Sequence, residues 1–273
     1  MQKEKLGLLV ISFLIVIFAV LIVTKLSQKA DYVTVLLYHS VINQDEMPDK
    51  YLDKNGEVKS RYVITTENFE KQMDILKKYN YKTLTLDEFH DFVTGKRDVP
   101  KNSVLITFDD GLKNQYVNAY PILKKHHFKA ASFLMTSKIA QDNEEYDAKK
   151  GQYISQEEID NSKDVFEYAS HTHKFHKKTE GKKAYLIAKN SKEIKKDLKK
   201  SFQIVDKKYL AYPYGVYDKK LYKLLRNLEV KCAFTNKKGK VKKNSNVYAV
   251  KRNNIKNSYS EEKFKKIVGI EIQ

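Results

Sequence analysis

Ser103–Gly111 reads SVLITFDDG: six residues apolar on both faces, then two carboxylates and a glycine. A short run of this kind is the mark of a central parallel strand, buried on both sides. Working outward, β-rich apolar runs alternate with segments of helical period. Upstream, Tyr32–Tyr38 (YVTVLLY) reads as a strand, and Asn68–Tyr79 as a helix with Phe69, Met73, Leu76 and Tyr79 on one face. Tyr81–Leu86 reads as a short strand and Asp87–Val93 as a short helix. Downstream, Asn114–His126 is helical around Pro121, and Ala130–Leu134 and Val165–Ala169 are strands. Between those two strands, Ser155 and Glu158 form a capping box that opens a short helix. Lys183–Val205 reads as one long helix on a seam of Ile187, Ile194, Leu198 and Val205. Tyr209–Tyr212 and Lys231–Thr235 are strands around a helix at Lys219–Leu228, and a last helix begins near Ser260. Repeated β-then-α units predict an α/β fold around a parallel sheet, open or closed into a barrel.

Such folds keep their chemistry in the loops at the carboxyl ends of the strands. His39 stands past the first strand, Asp109-Asp110-Gly111 past the central one, and Ser170-His171-Thr172-His173-Lys174-Phe175-His176 past Val165–Ala169. Past Tyr209–Tyr212 comes Pro213-Tyr214-Gly215. A carboxylate with two imidazoles is a three-ligand set for a catalytic divalent metal, with positions left for water and substrate. Successive side chains on a strand diverge, so one of Asp109 and Asp110 can ligate while the other stays free as a base. In the histidine cluster the outer pair, His171 and His176, is read as ligating. His173 between them is read as solvent-facing or as support for a ligand. His90, His126 and His127 fall in helical segments and read as structural.

The chain has 273 residues, enough for one large domain, and its nine glycines and four prolines leave little for flexible linkers. One cysteine, Cys232, excludes an intramolecular disulfide framework and reads as buried. The net charge of +18 invites a nucleic-acid reading. The lysines are instead scattered along helices and carry no nucleic-acid motif, so the excess points to compositional bias or to an anionic surface.

Thr107-Phe108-Asp109-Asp110-Gly111, Ser170-His171-Thr172 with His176, and Ala211-Tyr212-Pro213-Tyr214-Gly215 together resemble the polysaccharide deacetylases of carbohydrate esterase family 4 (NodB homology). Tyr38-His39 and the five-residue step from His171 to His176 resemble the poly-β-1,6-N-acetylglucosamine branch, the IcaB and PgaB types. The resemblance implies a distorted, incomplete (β/α) barrel. It implies Asp110, His171 and His176 as ligands of one divalent metal ion, zinc foremost, with cobalt, nickel or iron as alternatives. It also implies Asp109 as general base, His39 as catalytic acid and the Tyr214 N–H as oxyanion donor. The substrate implied is an N-acetylglucosamine polysaccharide, with peptidoglycan or another wall glycan as the alternative and a non-catalytic glycan-binding protein as a further one. Exopolysaccharide synthesis machinery is an implied partner. There are two departures: the arginine that the wider family often carries before its Pro-Tyr pair, positioned to orient the base, is missing, with Ala211 and Tyr212 in its place, and no Asp-Trp motif follows in a chain without tryptophan; both gaps resemble the poly-N-acetylglucosamine branch.

Residues 6–24 read LGLLVISFLIVIFAVLIVT, uncharged and roughly 28 Å long as a helix, close to the hydrocarbon thickness of a bilayer. They read as a transmembrane anchor, with a cleaved signal peptide as the competing reading. The expected organisation is a tail, anchor and link over 1–30 and the deacetylase domain over 31–273, outside the cell.

Overall fold

In chain order the core strands are β1 (Val33–Tyr38), β2 (Ser40–Ile42), β3 (Val63–Thr65), β4 (Lys82–Thr83) and β5 (Ser103–Asp110). After them come β6 (Ala130–Leu134), β7 (Phe166–Ser170), β8 (Lys207–Ala211), β9 (Ala233–Phe234), β10 (Lys240–Val241) and β11 (Asn253–Asn254). The structure, a computed structural model, describes residues 29–271. The expected anchor at 6–24 lies outside the described residues, and no helix among these is long and apolar enough to cross a membrane.

The SVLITF run lies in β5, which is buried from Ser103 through Asp109. It pairs in parallel with β1 on one side and β6 on the other, and β7, β8 and β9 continue the sheet in parallel. The sheet curls. Its far edge is joined back to β1 by the segment 247–254, where Thr235 N donates to Val250 O at 2.8 Å while Asn253 pairs with Leu36.

Alternation along the strands sorts side chains between two layers. Leu36, Tyr38, Ile106 and Phe108 point outward onto α1 (Thr66–Lys78) through Phe69, Met73 and Leu76. Val33, Val35, Leu105, Phe133, Tyr209 and Phe234 fill the inside of the curl. Helix α2 (Leu86–Val93) adds Phe89 and Phe92 to that inner cluster. It packs at the amino ends of the strands, where Asp87 accepts hydrogen bonds from Lys207 and Tyr209, each at 2.7 Å. The same alternation carries Leu105 on to Thr107 and Asp109, so the inner face turns polar at the carboxyl end of β5.

The strand expected at Lys231–Thr235 is only Ala233–Phe234, and two other expected elements differ for a local reason. The long helix at Lys183–Val205 is two, a single turn at Tyr185–Ala188 and a helix at Ser191–Phe202. Asn190 breaks it: its side chain caps the Lys192 and Glu193 N–H groups while Glu193 reaches back to the Asn190 N–H, a box that outcompetes helix continuation. Ile187, expected on the buried seam, is consequently 39% exposed. The strand expected at Tyr81–Leu86 shrinks to Lys82–Thr83, because Thr85 is committed to capping α2. Helix starts at Ser155 and Ser260 stand where the sequence puts them, and Cys232 is buried and free.

Candidate metal centre and active site

At the end of β5 the backbone leaves the strand through two left-handed residues, Asp110 at φ 77° and Gly111 at φ 67°. A Cβ on Gly111 would lie 2.6 Å from Leu134 Cδ2 and 3.4 Å from Leu134 Cα, and with the left-handed φ this favours glycine there. Thr172, at φ 77°, and Tyr214, at φ 61°, are likewise left-handed. Asp110 ends β5, while Thr172 and Tyr214 sit in the loops that follow β7 and β8, so all three lie at the carboxyl ends of strands.

The turn separates the fates of the two carboxylates. Asp110 swings toward the histidine loop, with Oδ1 3.6 Å from His171 Nε2 and 3.6 Å from His176 Nε2. The three side chains each offer a ligand atom within 4.8 Å of the others. His171 N donates to Leu134 O at 2.8 Å, anchoring the loop on β6. Its Nδ1 lies 2.8 Å from Ala211 O, which places the proton on Nδ1 and leaves the Nε2 lone pair facing Asp110. Asp110 Oδ1 is buried without a hydrogen-bond partner. An orphaned carboxylate oxygen between two imidazole nitrogens is a costly arrangement for the protein alone, and a divalent cation satisfies it. Burial holds both imidazoles below the usual histidine range, hence neutral and able to ligate, and pushes the Asp110 carboxyl up. The donor set fits a divalent metal.

Asp109 stays inside the curl. Its two oxygens accept from Arg252 Nη1 and Nη2, both at 2.7 Å, and the arginine is fully buried. Arg252 also donates from Nε to Thr235 O at 3.0 Å, from Nη1 to Thr107 Oγ1 at 3.4 Å and from Nη2 to Asn236 Oδ1 at 3.0 Å. All five of its N–H groups are thus used. Burial works to raise the Asp109 pKa, but the Arg252 guanidinium, together with His171 and His39 beside it, outweighs burial and keeps the carboxyl well below the usual carboxylate range. Arg252 stands where the missing family arginine was expected to matter, arriving from the segment that closes the curl and not from the loop after β8. The available signal was that it is one of four arginines in a chain whose other cations are lysines. A planar bidentate donor at a strand end calls for a carboxylate.

His39 lies at the junction of β1 and β2, half-buried, its ring 4.8 Å from that of Tyr62. Its Nδ1 is buried and unpartnered. Burial brings its pKa down to about 4; Asp109 works to raise it, Arg252 and Arg61 to lower it. Because β2 pairs with β3 and not with the main sheet, something else must hold His39 over Asp109. Gln115 does so. Its Nε2 donates to His39 O at 3.1 Å and to Asp109 O at 2.7 Å, while its Oε1 accepts from Ser132 Oγ at 2.8 Å. Asn118 Nδ2 adds a bond to Val41 O at 2.8 Å. Gln115 and Asn118 face the same strand through a π-type turn over Gln115–Ala119, just before Pro121. Neither amide was legible as functional from the sequence. Replacing Gln115 by Leu is expected to lower the turnover number about tenfold with metal content unchanged; unaltered turnover would show that the clamp is dispensable.

His173 is buried at 8% exposure, which corrects the solvent-facing reading. Its Nδ1 meets Thr136 Oγ1 at 3.0 Å, and its backbone N–H and that of Lys174 donate to Asp197 at 2.9 and 2.7 Å. The residues between His171 and His176 are therefore pinned from behind. Tyr214 follows Pro213 in the turn after β8, its ring 4.6 Å from that of His176. His126 is buried between Ile122 O and Asp74, a structural role.

Comparison with known proteins agrees with this geometry. A profile described as polysaccharide deacetylase matches residues 96–233. The chain is 31% identical over 238 residues to a poly-β-1,6-N-acetyl-D-glucosamine N-deacetylase of Staphylococcus epidermidis, covering 84% of this chain and 80% of that protein. Among solved structures, the Streptococcus pyogenes deacetylase PplD in complex with acetate superposes with a TM-score of 0.73 at 19% identity, over 87% of this chain and 98% of that one. IcaB from Ammonifex degensii gives 0.69 at 22% identity, over 89% and 97%. The fold shared with these structures and the identity shared with the staphylococcal enzyme lead to one statement: the chain belongs to the polysaccharide deacetylase family, hydrolases that act on a carbon–nitrogen bond.

Proposed function

We propose that the protein removes acetyl groups from an extracellular N-acetylglucosamine polymer, poly-β-1,6-N-acetylglucosamine in the first place, using one divalent metal ion. The observation that carries this reading is the Asp110–His171–His176 group beside an arginine-paired Asp109. The staphylococcal relative is named for that substrate. Zinc suits the mixed nitrogen and oxygen donors, as do cobalt, nickel and iron.

A divalent ion held by Asp110, His171 and His176 would supply Lewis acidity to the acetyl carbonyl and acidify water. Asp109 takes the proton of the attacking water, and Arg252 keeps it ionised and aimed. The Tyr214 N–H donates to the carbonyl oxygen as charge grows on it. His39 gives a proton to the sugar nitrogen as the C–N bond breaks, since an amine anion is a poor leaving group. Burial keeps the resting His39 imidazole neutral near pH 7, at about 4. Negative charge developing beside it raises its affinity for a proton, so its protonation belongs to the reacting complex. Acetate and a glucosamine unit leave.

The uncharged run at 6–24 supports an anchor that holds this body at the outer face of the membrane, near the machinery that makes the polymer. Acetate release by the full chain from β-1,6-linked oligomers, set against β-1,4-linked oligomers and cell-wall fragments, tests the substrate. Faster release from the β-1,6 series is expected; preference for wall fragments would move the assignment to peptidoglycan.

A further inference from the structure

Three tyrosines border the centre. The Tyr62 ring meets His39 at 4.8 Å and the Tyr214 ring meets His176 at 4.6 Å. Tyr153 pairs with Leu112 beside the Asp110 turn, where Ile154 N donates to Gly111 O at 3.0 Å. Each ring carries a cation. Arg61 lies 5.0 Å from the Tyr62 centroid, Lys138 5.7 Å from that of Tyr153, and Lys178 4.4 Å from that of Tyr214. Cation–π contact of this kind holds a long side chain over a ring without neutralising it. Among the described residues none of the three cations has a carboxylate partner, although lysines such as Lys124, Lys163 and Lys208 do. Tyr62 and Tyr214 remain 46% and 38% exposed, so this rim faces solvent and incoming substrate.

We propose that Arg61, Lys138 and Lys178 form a positive rim that disfavours sugar units already carrying a free amine, so that deacetylation avoids the neighbours of a deacetylated unit. The inference rests on the deacetylase reading above. An N-acetylglucosamine unit is neutral, and its approach costs nothing against the rim. A glucosamine unit is an ammonium ion, and an uncompensated cation a few ångströms from it penalises binding by about fivefold even in a water-like dielectric. The consequence is a spacing rule along the polymer: isolated free amines are favoured over blocks.

The test is made with the full chain and a β-1,6-linked N-acetylglucosamine pentamer. Doubly deacetylated products are sequenced by tandem mass spectrometry in low salt and in about 0.5 M salt, where screening is within a few ångströms. Adjacent glucosamine pairs are expected about fivefold below independent choice in low salt and near independent choice in high salt. The combined variant Arg61→Gln, Lys138→Gln, Lys178→Gln is expected to raise adjacent pairs toward independent choice in low salt, and Lys178→Gln alone part of the way. Independent choice by the unaltered protein in low salt would overturn the proposal. So would a depletion of adjacent pairs that neither the salt nor the variants change. Failure to release any acetate from the pentamer is a different result and would strike at the deacetylase reading itself.

Discussion

Asp110→Asn is expected to bind no stoichiometric metal and to lose acetate release by about a thousandfold or more. The amide keeps the shape of the carboxylate but removes the charge that offsets a cation, and its NH2 group would face the His171 or His176 lone pair at the 3.6 Å spacing now held by Oδ1. Because Asp110 Oδ1 has no hydrogen bond to lose, folding should be little affected or slightly improved. That combination separates a metal ligand from a structural carboxylate. His39→Ala provides the contrast, since a loss of rate with metal content intact is expected there. Lost metal in the His39 variant would instead make it a ligand, and undiminished turnover by the Asp110 variant would remove the metal assignment. Elemental analysis of the purified proteins alongside acetate assay decides both.

Arg252→Met is expected to have the largest effect on folding, about 3–5 kcal/mol, because it leaves the fully buried Asp109 charge without its partner. Denaturant unfolding of the variant measures this. A double substitution Asp109→Asn, Arg252→Met should recover much of the loss in stability and none of the activity. The sign of the pH dependence follows from the same pair. The folded-state pKa of Asp109 lies below its unfolded value, so the pair contributes stability above about pH 4 that is lost as the pH falls through the folded-state value. Arg252→Met should therefore flatten the acid side of the stability profile. Equal stability of the single variant and the unaltered protein would show that the closing segment 247–254 does not depend on the pair.

The legible part of this molecule is the part encoded locally. SVLITF could be read because a parallel strand buried on both faces is continuously apolar. Asp109, Asp110, His171 and His176 could be read because strands of one parallel sheet bring their carboxyl ends to one side. Arg252 could not be tied to Asp109 beforehand, since 143 positions separate them and only the curl of the sheet makes them neighbours. The Gln115 clamp was hidden for a related reason: an amide between two carbonyls has no signature until β2 is known to leave the main sheet. The broken helix at Asn190 was legible in principle, its capping box competing with a helical seam that the sequence reading favoured. Of the two readings of His173, the solvent-facing one fails because nothing in its sequence neighbourhood announces the burial imposed by Asp197 and Thr136, and the supporting one remains.

A single metal held by Asp110, His171 and His176 is expected to drive deacetylation. Metal re-addition to chelated full-length protein, with acetate release from β-1,6-linked oligomers measured at each step, tests it most directly. The expected result is no release from the metal-free protein, then a rise that levels off near one equivalent of zinc, cobalt, nickel or iron. Full acetate release from protein shown to be metal-free would contradict it.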